Sequence, residues 1–247
     1  MSELAGRTAL VTGATRGIGY EVARRLVEAG QTVYLGAREL RRGIEVSAEV
    51  GATPVLLDTT DGASIAAAVD RLQNEVGALD VLVNNAGIAG DQRPPAEATP
   101  DDLRRVFETN VFGAAAVLTA FTPLLEASRA PVVVNVSSAV GSMTLNASPD
   151  ARWSMLAYPM SKAALNMLTI QYARAFPRWR VNSASPGPTA TDFVAHREGL
   201  PTVEQLRAAG VAVNTVQEGA EIIVGMATVG PKGPTGTFVG NEGPVPW

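Results

Sequence analysis

A phenol and an ammonium group four residues apart are the pair in this sequence best suited to proton transfer. They are Tyr158 and Lys162, in the run Tyr-Pro-Met-Ser-Lys. On a helix, residues at this spacing lie on one face, one turn apart. A nearby ammonium favours the phenolate and so lowers the pKa of a tyrosine from its usual value of about 10. We expect Tyr158 to protonate a developing alkoxide or to deprotonate an alcohol. Taken alone, however, such a pair is more often a solvated helix face.

A glycine-rich turn early in the sequence could bind the phosphates of a nucleotide. Residues 8–11 read as a short buried strand, and apolar residues at helical spacing predict a helix over 18–29. Between them, Gly13, Gly17 and Gly19 form the pattern G-x-x-x-G-x-G. A helix N-terminus presents free N–H groups and a partial positive charge, and glycine lets a phosphate approach the backbone. The turn therefore predicts a dinucleotide pyrophosphate site, with a purely structural turn as the alternative.

The elements that must position these residues alternate between strand and helix along the whole sequence. Such alternation is typical of a parallel sheet covered by helices on both faces. We predict a single α/β domain of Rossmann type, a doubly wound parallel sheet of about seven strands. The predicted strands are 8–11, 32–35, 54–57, 81–84, 132–136, 181–184 and 237–239. The predicted helices are 18–29, 41–50, 64–76, 100–128 with a break near Asn110, 158–176 and 215–228.

Composition excludes several classes of partner and site. The 247 residues carry a net charge of −4 without a basic run, so we expect neither nucleic acid nor membrane as a partner. There is no cysteine and only one histidine, His196, which excludes disulfides and thiolate or histidine-based metal sites. The sequence lacks a signal-peptide pattern and an uncharged apolar stretch of the ~18 residues that span a bilayer. We expect a cytoplasmic protein without a metal.

Further motifs occur in order along the chain. They are Asn84-Asn85-Ala86-Gly87 after the fourth strand, Asn110 in Thr-Asn-Val-Phe-Gly, Ser138 in Asn-Val-Ser-Ser-Ala, and Pro186-Gly187-Pro-Thr-Ala-Thr191 after the sixth strand. Together with the glycine turn and Tyr-x-x-x-Lys, they resemble the motifs of the short-chain dehydrogenase/reductase family over essentially the whole chain. Alone, Asn110 could mark a helix kink and Ser138 a strand-end turn. Their joint occurrence is specific.

The resemblance implies a role for each catalytic position. Tyr158 would protonate a carbonyl oxygen while hydride arrives from a nicotinamide, and Ser138 would hydrogen-bond that oxygen. Lys162 would lower the pKa of Tyr158 and bind the nicotinamide ribose. Asn110 would anchor, by its backbone carbonyl, a water that relays protons to Lys162. The implied cofactor-binding residues are Gly13, Thr15, Arg16, Gly17, Ile18, Gly19, Arg38, Asp58, Thr59, Asn85, Ala86, Gly87, Tyr158, Lys162, Pro186, Gly187, Thr189 and Thr191.

Cofactor preference is indicated by the end of the second strand. An enzyme that uses NAD usually carries a carboxylate there to bind the ribose 2′-OH. Here the sequence reads Tyr-Leu-Gly-Ala-Arg, with no acid before Glu39. Arg38 is placed to pair with a 2′-phosphate, and Arg16 in the glycine turn could clamp its other side. Both resemble NADP-preferring members, so we expect NADP(H). The alternative is that Arg38 merely opens the next helix.

Two segments depart from the common family pattern or lack a clear element. Ser138 and Tyr158 lie twenty residues apart, longer than is usual in the family, so 142–153 holds a modest insertion. Its apolar members and near neighbours could line a substrate pocket; these are Met143, Leu145, Trp153 and Met155. Long insertions here can cover the helix face used for assembly, but this one is short, so we expect a homo-dimer or homo-tetramer. Residues 188–214 predict a substrate flap with one short helix, opened by a capping box at Thr202.

The activity expected from these features is the reduction of a fairly apolar ketone or aldehyde by NADPH, reversibly an alcohol dehydrogenation. The Ala-Arg pair, the insertion and the Pro-Val-Pro-Trp ending resemble the carbonyl-reductase-like branch. One alternative is a 3-oxoacyl-carrier-protein reductase, which needs a basic patch for its acidic carrier. Arg129 and Arg174 are scattered candidates for such a patch. The other alternative is a non-catalytic NADP(H)-binding regulator.

Overall fold

Eight strands form one sheet in the computed structural model, which describes residues 6–151, 154–191 and 203–247. The strands are β1 (Thr8–Val11), β2 (Thr32–Ala37), β3 (Thr53–Leu56), β4 (Val81–Asn84), β5 (Val132–Val136), β6 (Arg180–Ser185), β7 (Phe238–Gly240) and β8 (Gly243–Pro244). Their order is β3-β2-β1-β4-β5-β6-β7-β8, and all pairs are parallel except β7 with β8. The predicted α/β fold is confirmed. The eighth strand was not predicted, because two residues that include a proline carry no alternating pattern.

Helices cover both faces of this sheet. They are α1 (Gly17–Glu28), α2 (Leu40–Val50), α3 (Gly62–Glu75), α4 (Pro100–Phe107), α5 (Ala114–Ala127), α6 (Met143–Asn146), α7 (Ala157–Ala175), α8 (Val203–Ala208) and α9 (Val216–Ala227). A π-helical turn (Glu108–Gly113) joins α4 to α5, and a 3₁₀ turn (Ala139–Gly141) follows β5. The predicted bounds agree within two residues, and the predicted break near Asn110 is the π-helical turn. Among the α-helices of the described residues, α6, inside the insertion, was not predicted.

The core lies in two layers because the central strands are buried on both faces. Every residue of β1, β4 and β5 is buried, as expected of continuous apolar runs in a parallel sheet. One layer packs α1, α2 and α9 on the sheet, through Val22, Val46 and Ile223 among others. The other layer packs α3 and α5, through Leu72 and Phe121 among others.

The helical run Pro100–Ala127 is long and apolar enough to cross a membrane by length and composition. Part of the run nevertheless belongs to the core: Val117, Leu118 and Phe121 are fully buried, whereas Phe112 is exposed. The run begins with the predicted cap, in which Thr99 and Asp102 form a reciprocal capping box. The length of the run therefore reflects a core helix of the α/β fold.

The strand order reverses between β1 and β4, which places a crevice at the carboxyl ends of these strands. The predicted glycine turn follows β1, and the predicted Asn-Asn-Ala-Gly segment extends from β4. Ser138 follows β5, and Pro186 follows β6. The fold thus gathers at one edge motifs that are far apart in sequence. Of the predicted flap, 192–202 lies outside the described residues, as do His196 and Thr202.

Candidate active site

The glycine turn after β1 requires glycine, because its backbone is left-handed at two positions and a side chain would collide at a third. Gly13 and Gly17 have φ of +61° and +56°, a left-handed conformation that glycine adopts without strain. A Cβ on Gly19 would lie 2.7 Å from the carbonyl oxygen of Gly13 and would collide with the Asn85 amide. Helix α1 starts at Gly17, and its N-cap residue Arg16 makes no side-chain cap. The first N–H groups of α1 are therefore available to an anionic group.

The Asn-Asn-Ala-Gly segment fastens this turn to the end of β4. The Asn85 side-chain amide donates to the carbonyl oxygens of Thr12 and Gly13, at 2.9 and 3.1 Å. In return, the Thr12 hydroxyl accepts from the backbone N–H groups of Asn85 and Ala86, both at 3.0 Å. Sequence reasoning missed Thr12, although it stands next to the first motif glycine. These contacts make Asn85 a support of the turn.

The segment after β6 approaches the same turn from the other side. Gly187 has a φ of +70°, and the Asn214 side-chain amide donates to the Pro186 carbonyl at 2.8 Å. Thr189 pairs with Asn214 in an isolated parallel bridge. The methyl group of Thr191 lies 3.6 Å from where a Cβ on the first residue of α1 would be. The Pro-Gly segment therefore lies close to the glycine turn. Asn214 was not predicted, because nothing local marks it.

The ends of β2 and β3 carry the residues predicted to meet the adenosine half of a cofactor. Arg38 is exposed directly after β2. One carboxylate oxygen of Asp58 accepts from the backbone N–H and the hydroxyl of Thr60, at 2.9 and 2.8 Å, and so shapes the turn after β3. Thr59 is buried, and a Cβ on Gly113 would lie 2.9 Å from its hydroxyl. Ile18 packs partly against the core and Thr15 is half-buried.

Tyr158, Ser138 and Lys162 meet at the start of α7. Tyr158 is the second residue of that helix, and Pro159 sits in its first turn, where proline is tolerated. The Ser138 hydroxyl lies near enough to the Tyr158 phenol to influence its pKa. The Lys162 ammonium donates to the carbonyl oxygen of Val136 at 2.8 Å and lies 5.6 Å from the centroid of the Tyr158 ring. Two hydroxyls and one buried ammonium therefore lie together at the start of α7. We call this cluster of Tyr158, Ser138 and Lys162 the corner.

The electrostatics of this corner differ from the sequence-based expectation for Tyr158. Burial raises the pKa of Tyr158, and the hydrogen bond with Ser138 only partly opposes it. Lys162 does not lower the pKa of Tyr158, because its own pKa of about 8 leaves the amine neutral at the pH where Tyr158 ionises. Burial also lowers the pKa of Lys162 to about 8. At neutral pH the phenol therefore keeps its proton, as a proton donor must.

Asn110 ties the segment after β4 to α7 from within the π-helical turn. Its side-chain amide accepts from the Ile88 N–H at 2.8 Å and donates to the Ile88 carbonyl at 2.9 Å. It also donates to the Ser161 hydroxyl at 3.0 Å, which in turn donates to the Tyr158 carbonyl at 2.7 Å. Where the plain interpretation of Asn110 was a helix kink, the structure has a π-helical turn, a form of helix frequent at functional sites.

The backbone at Ser138 is fixed by hydrogen bonds of the two residues next to it in sequence, Ser137 and Ala139. The Ser137 hydroxyl donates to the Asn166 side-chain oxygen on α7 at 2.7 Å. The Ala139 N–H donates to the Ser185 hydroxyl on β6 at 3.1 Å. The helix that carries the tyrosine therefore also fixes the backbone beside Ser138. Sequence reasoning missed Asn166, although it lies one helical turn after the lysine and could have been found from that spacing.

The insertion forms a short helix beside this corner. Helix α6 leaves Met143 67% exposed, while Leu145 and Met155 are half-buried. Trp153, the remaining apolar residue predicted for this segment, lies outside the described residues. The described part of the insertion thus presents apolar side chains within the stretch between Ser138 and Tyr158.

Comparison with known proteins agrees with this arrangement. A family model described as short chain dehydrogenase matches residues 7–199. The short-chain dehydrogenase anuI of Penicillium roqueforti (strain FM164) is 34% identical, over 94% of this chain and 93% of its own length. The (+)-neomenthol dehydrogenase of Capsicum annuum is 29% identical, over 94% of this chain and 95% of its own. Among solved structures, the NADPH-bound carbonyl reductase from chicken fatty liver matches with a TM-score of 0.80 at 27% identity, covering 98% of this chain and 100% of that one.

Proposed function

Because this chain belongs to the short-chain dehydrogenase family, a family of oxidoreductases, we propose that it reduces a ketone or aldehyde with NADPH and catalyses the reverse alcohol oxidation. The observation that carries this proposal is the convergence of the Ser138 and Tyr158 hydroxyls beside the buried ammonium of Lys162. Two hydroxyl groups that converge on one point can both bind a carbonyl oxygen. Tyr158 stays protonated at neutral pH and can donate its proton to that oxygen.

The residues around the crevice fit a nicotinamide dinucleotide. Gly13, Gly17 and Gly19 keep side chains away from the uncapped start of α1, which suits a pyrophosphate. A Cβ on Gly87 would lie 3.2 Å from the Asn110 side-chain oxygen and 3.7 Å from the Lys162 nitrogen, so glycine keeps space open beside the lysine. The chemistry that a bound NADPH supplies is a hydride for the carbonyl carbon.

This chain's own residues supply the rest of the reaction. Tyr158 donates its phenol proton to the carbonyl oxygen, which becomes the hydroxyl of the product. Ser138 hydrogen-bonds the same oxygen and orients the carbonyl. Lys162 stabilises the phenolate that remains, and it would also hold the nicotinamide ribose. Asn110 would support proton return to the lysine through water, as the family resemblance implies.

We infer that the substrate is small to medium in size and fairly apolar. Met143, Leu145 and Met155 provide apolar surface in the stretch between the two catalytic hydroxyls. Relatives whose names concern neomenthol and carbonyl reduction support the same class. A panel of apolar ketones and aldehydes, menthone among them, should show NADPH consumption by absorbance at 340 nm, about 10²-fold or more above that of a Tyr158→Phe variant. Consumption equal to that variant for every compound would contradict an enzymatic role and favour an NADP(H)-binding regulator.

NADPH should bind well ahead of NADH, because Arg38 and Arg16 would meet the 2′-phosphate. A charge-assisted hydrogen bond contributes ~1.5–3 kcal/mol, so Arg38→Ala should weaken NADPH about tenfold or more and leave NADH nearly unchanged. Arg41→Ala is the matched control, since Arg41 is an exposed arginine three residues away that pairs with Glu45. Fluorescence titration of both cofactors measures this. Equal affinities for NADPH and NADH in the unmutated protein would contradict the assignment.

We further propose that the chain assembles as a homo-dimer or a homo-tetramer through an uncharged helical face. This face is exposed on the π-helical turn, α5 and the adjoining helix α7, and consists of Phe112, Ala116, Thr119, Pro123, Met160 and Met167. Uncharged apolar patches of this kind mark protein–protein contacts. The double variant Met160→Asp/Met167→Asp should lower the mass measured by light scattering to that of one chain. Met143→Asp, an exposed methionine on α6, should leave the mass unchanged; a monomeric unmutated protein would contradict this interface.

A further inference from the structure

The stretch 139–157 connects Ser138 to Tyr158, whose side chains lie close to each other. Its near end is rigid. Ser142 is fully buried, and a Cβ on Gly141 would lie 2.7 Å from the backbone of Lys162. Helix α6 follows, with four residues. A helix of one turn is not stable alone, so something must hold its outer side.

The residues that hold α6 come from the other end of the sheet. We call residues 243–247 the tail segment. The backbone carbonyl of Trp247 accepts from the N–H and the hydroxyl of Thr144, at 3.0 and 2.6 Å. The Trp247 ring stacks on Phe238 of β7, with centroids 5.5 Å apart and planes 26° from parallel. Phe238 is itself buried, and its carbonyl accepts from Val245 at 2.9 Å.

These contacts make a continuous connection from the sheet to the insertion. Phe238 anchors the Trp247 ring, and the ring sets the position of the carbonyl that binds Thr144 on α6. The apolar side chains of α6 therefore have a position fixed by a residue 103 positions away in sequence. Met143 projects from this helix and Leu145 lies half-buried in it.

We propose that Trp247 is a positioning residue that sets substrate specificity, by holding α6 as an apolar wall next to the Ser138–Tyr158 pair. This inference rests on the proposed function. The substrates that this wall would bind are bulky apolar ketones, which extend from the reacting carbonyl as far as α6. Small ketones are bound by the hydroxyl pair without reaching the wall.

The first experiment measures the connection without any turnover. Hydrogen exchange, followed by mass spectrometry on the full-length protein, should be at least about tenfold faster over 143–148 in Trp247→Ala than in the unmutated protein. Trp247→Phe keeps an aromatic ring on Phe238 and should retain protection. Lys232→Ala, an exposed change outside the tail segment, is the matched control. Exchange over 143–148 that is unchanged in Trp247→Ala would overturn the inference, whatever the protein catalyses.

The second experiment measures specificity. In Trp247→Ala, KM should rise about five- to tenfold for a bulky apolar ketone such as menthone, with kcat and NADPH affinity within about twofold and small-ketone kinetics unchanged. Thr144→Val should give a smaller rise in the same direction, and the double variant should be less than additive, because the two residues act through one contact. Equal effects on small and bulky ketones would overturn the role in specificity. An unmutated protein that reduces no ketone would instead refute the proposed function, and the exchange experiment would still decide whether Trp247 holds α6.

Discussion

Replacing Tyr158 by phenylalanine is expected to lower kcat for carbonyl reduction by about 10²–10⁴-fold and to leave the NADPH dissociation constant within about twofold. Phenylalanine keeps the ring and removes only the hydroxyl that gives up the proton. An interaction used only in the transition state affects kcat and spares ground-state binding. Steady-state kinetics and fluorescence titration measure the two quantities.

Another tyrosine of the same helix provides the control for this variant. Tyr172→Phe removes a hydroxyl that hydrogen-bonds Thr119 at 2.8 Å, away from Ser138, and should keep nearly full activity. If Tyr158 were only part of a solvated helix face, its replacement would shift stability by less than ~0.5 kcal/mol and spare the rate. A Tyr158→Phe enzyme that retains most of its rate would end the proposed mechanism.

Replacing Lys162 by methionine should remove activity, weaken NADPH binding and yet raise the free energy of unfolding near neutral pH. The pKa of Lys162 is lowered from 10.5 to about 8 by burial, so the charged form is disfavoured in the folded protein. Each pKa unit corresponds to ~1.4 kcal/mol, and losing the hydrogen bond to Val136 costs ~1 kcal/mol. We expect a net gain of roughly 2–3 kcal/mol at pH 7, measured by urea unfolding.

The stability gained by Lys162→Met depends on pH, because the pKa of Lys162 is lower in the folded protein than in the unfolded chain. Between pH 8 and 10.5 the unfolded chain binds a proton at Lys162 that the folded protein does not, so the stability of the unmutated protein rises through this window. The advantage of Lys162→Met is therefore complete below about pH 8 and disappears towards pH 10.5. Reduction by the unmutated enzyme should also decline above about pH 8, as Lys162 loses its charge. A methionine variant less stable than the unmutated protein at pH 7 would show that the contacts of the ammonium outweigh the cost of removing it from water.

The sequence predicted those parts of the molecule that are specified locally. The apolar runs of β1, β4 and β5 and the helical spacing in α1 and α3 predicted their elements. The ordered motifs predicted which residues gather at the carboxyl edge. The contact of Ser185 with the backbone beside Ser138 was not predictable, because it depends on which strand lies beside β5. The contact through Asn166 could have been found from its helical spacing to Lys162. The pKa of Tyr158 was predicted with the wrong sign, because helical spacing reveals a neighbour but not its burial.

The π-helical turn (Glu108–Gly113) lets two successive helices face different partners. Helix α4 packs on α7, whereas α5 packs on α3 and β4. A continuous α-helix advances about 100° per residue, so one residue more or fewer rotates everything downstream by that angle. Such a phase shift would turn Val117 and Phe121 out of the core and move Asn110 away from Ile88. Chain length between Thr99 and α5 is therefore under tighter constraint than the identity of the exposed residues there. Insertions and deletions in this stretch are expected to be lost from functional descendants of this protein, while substitutions on the exposed surface accumulate.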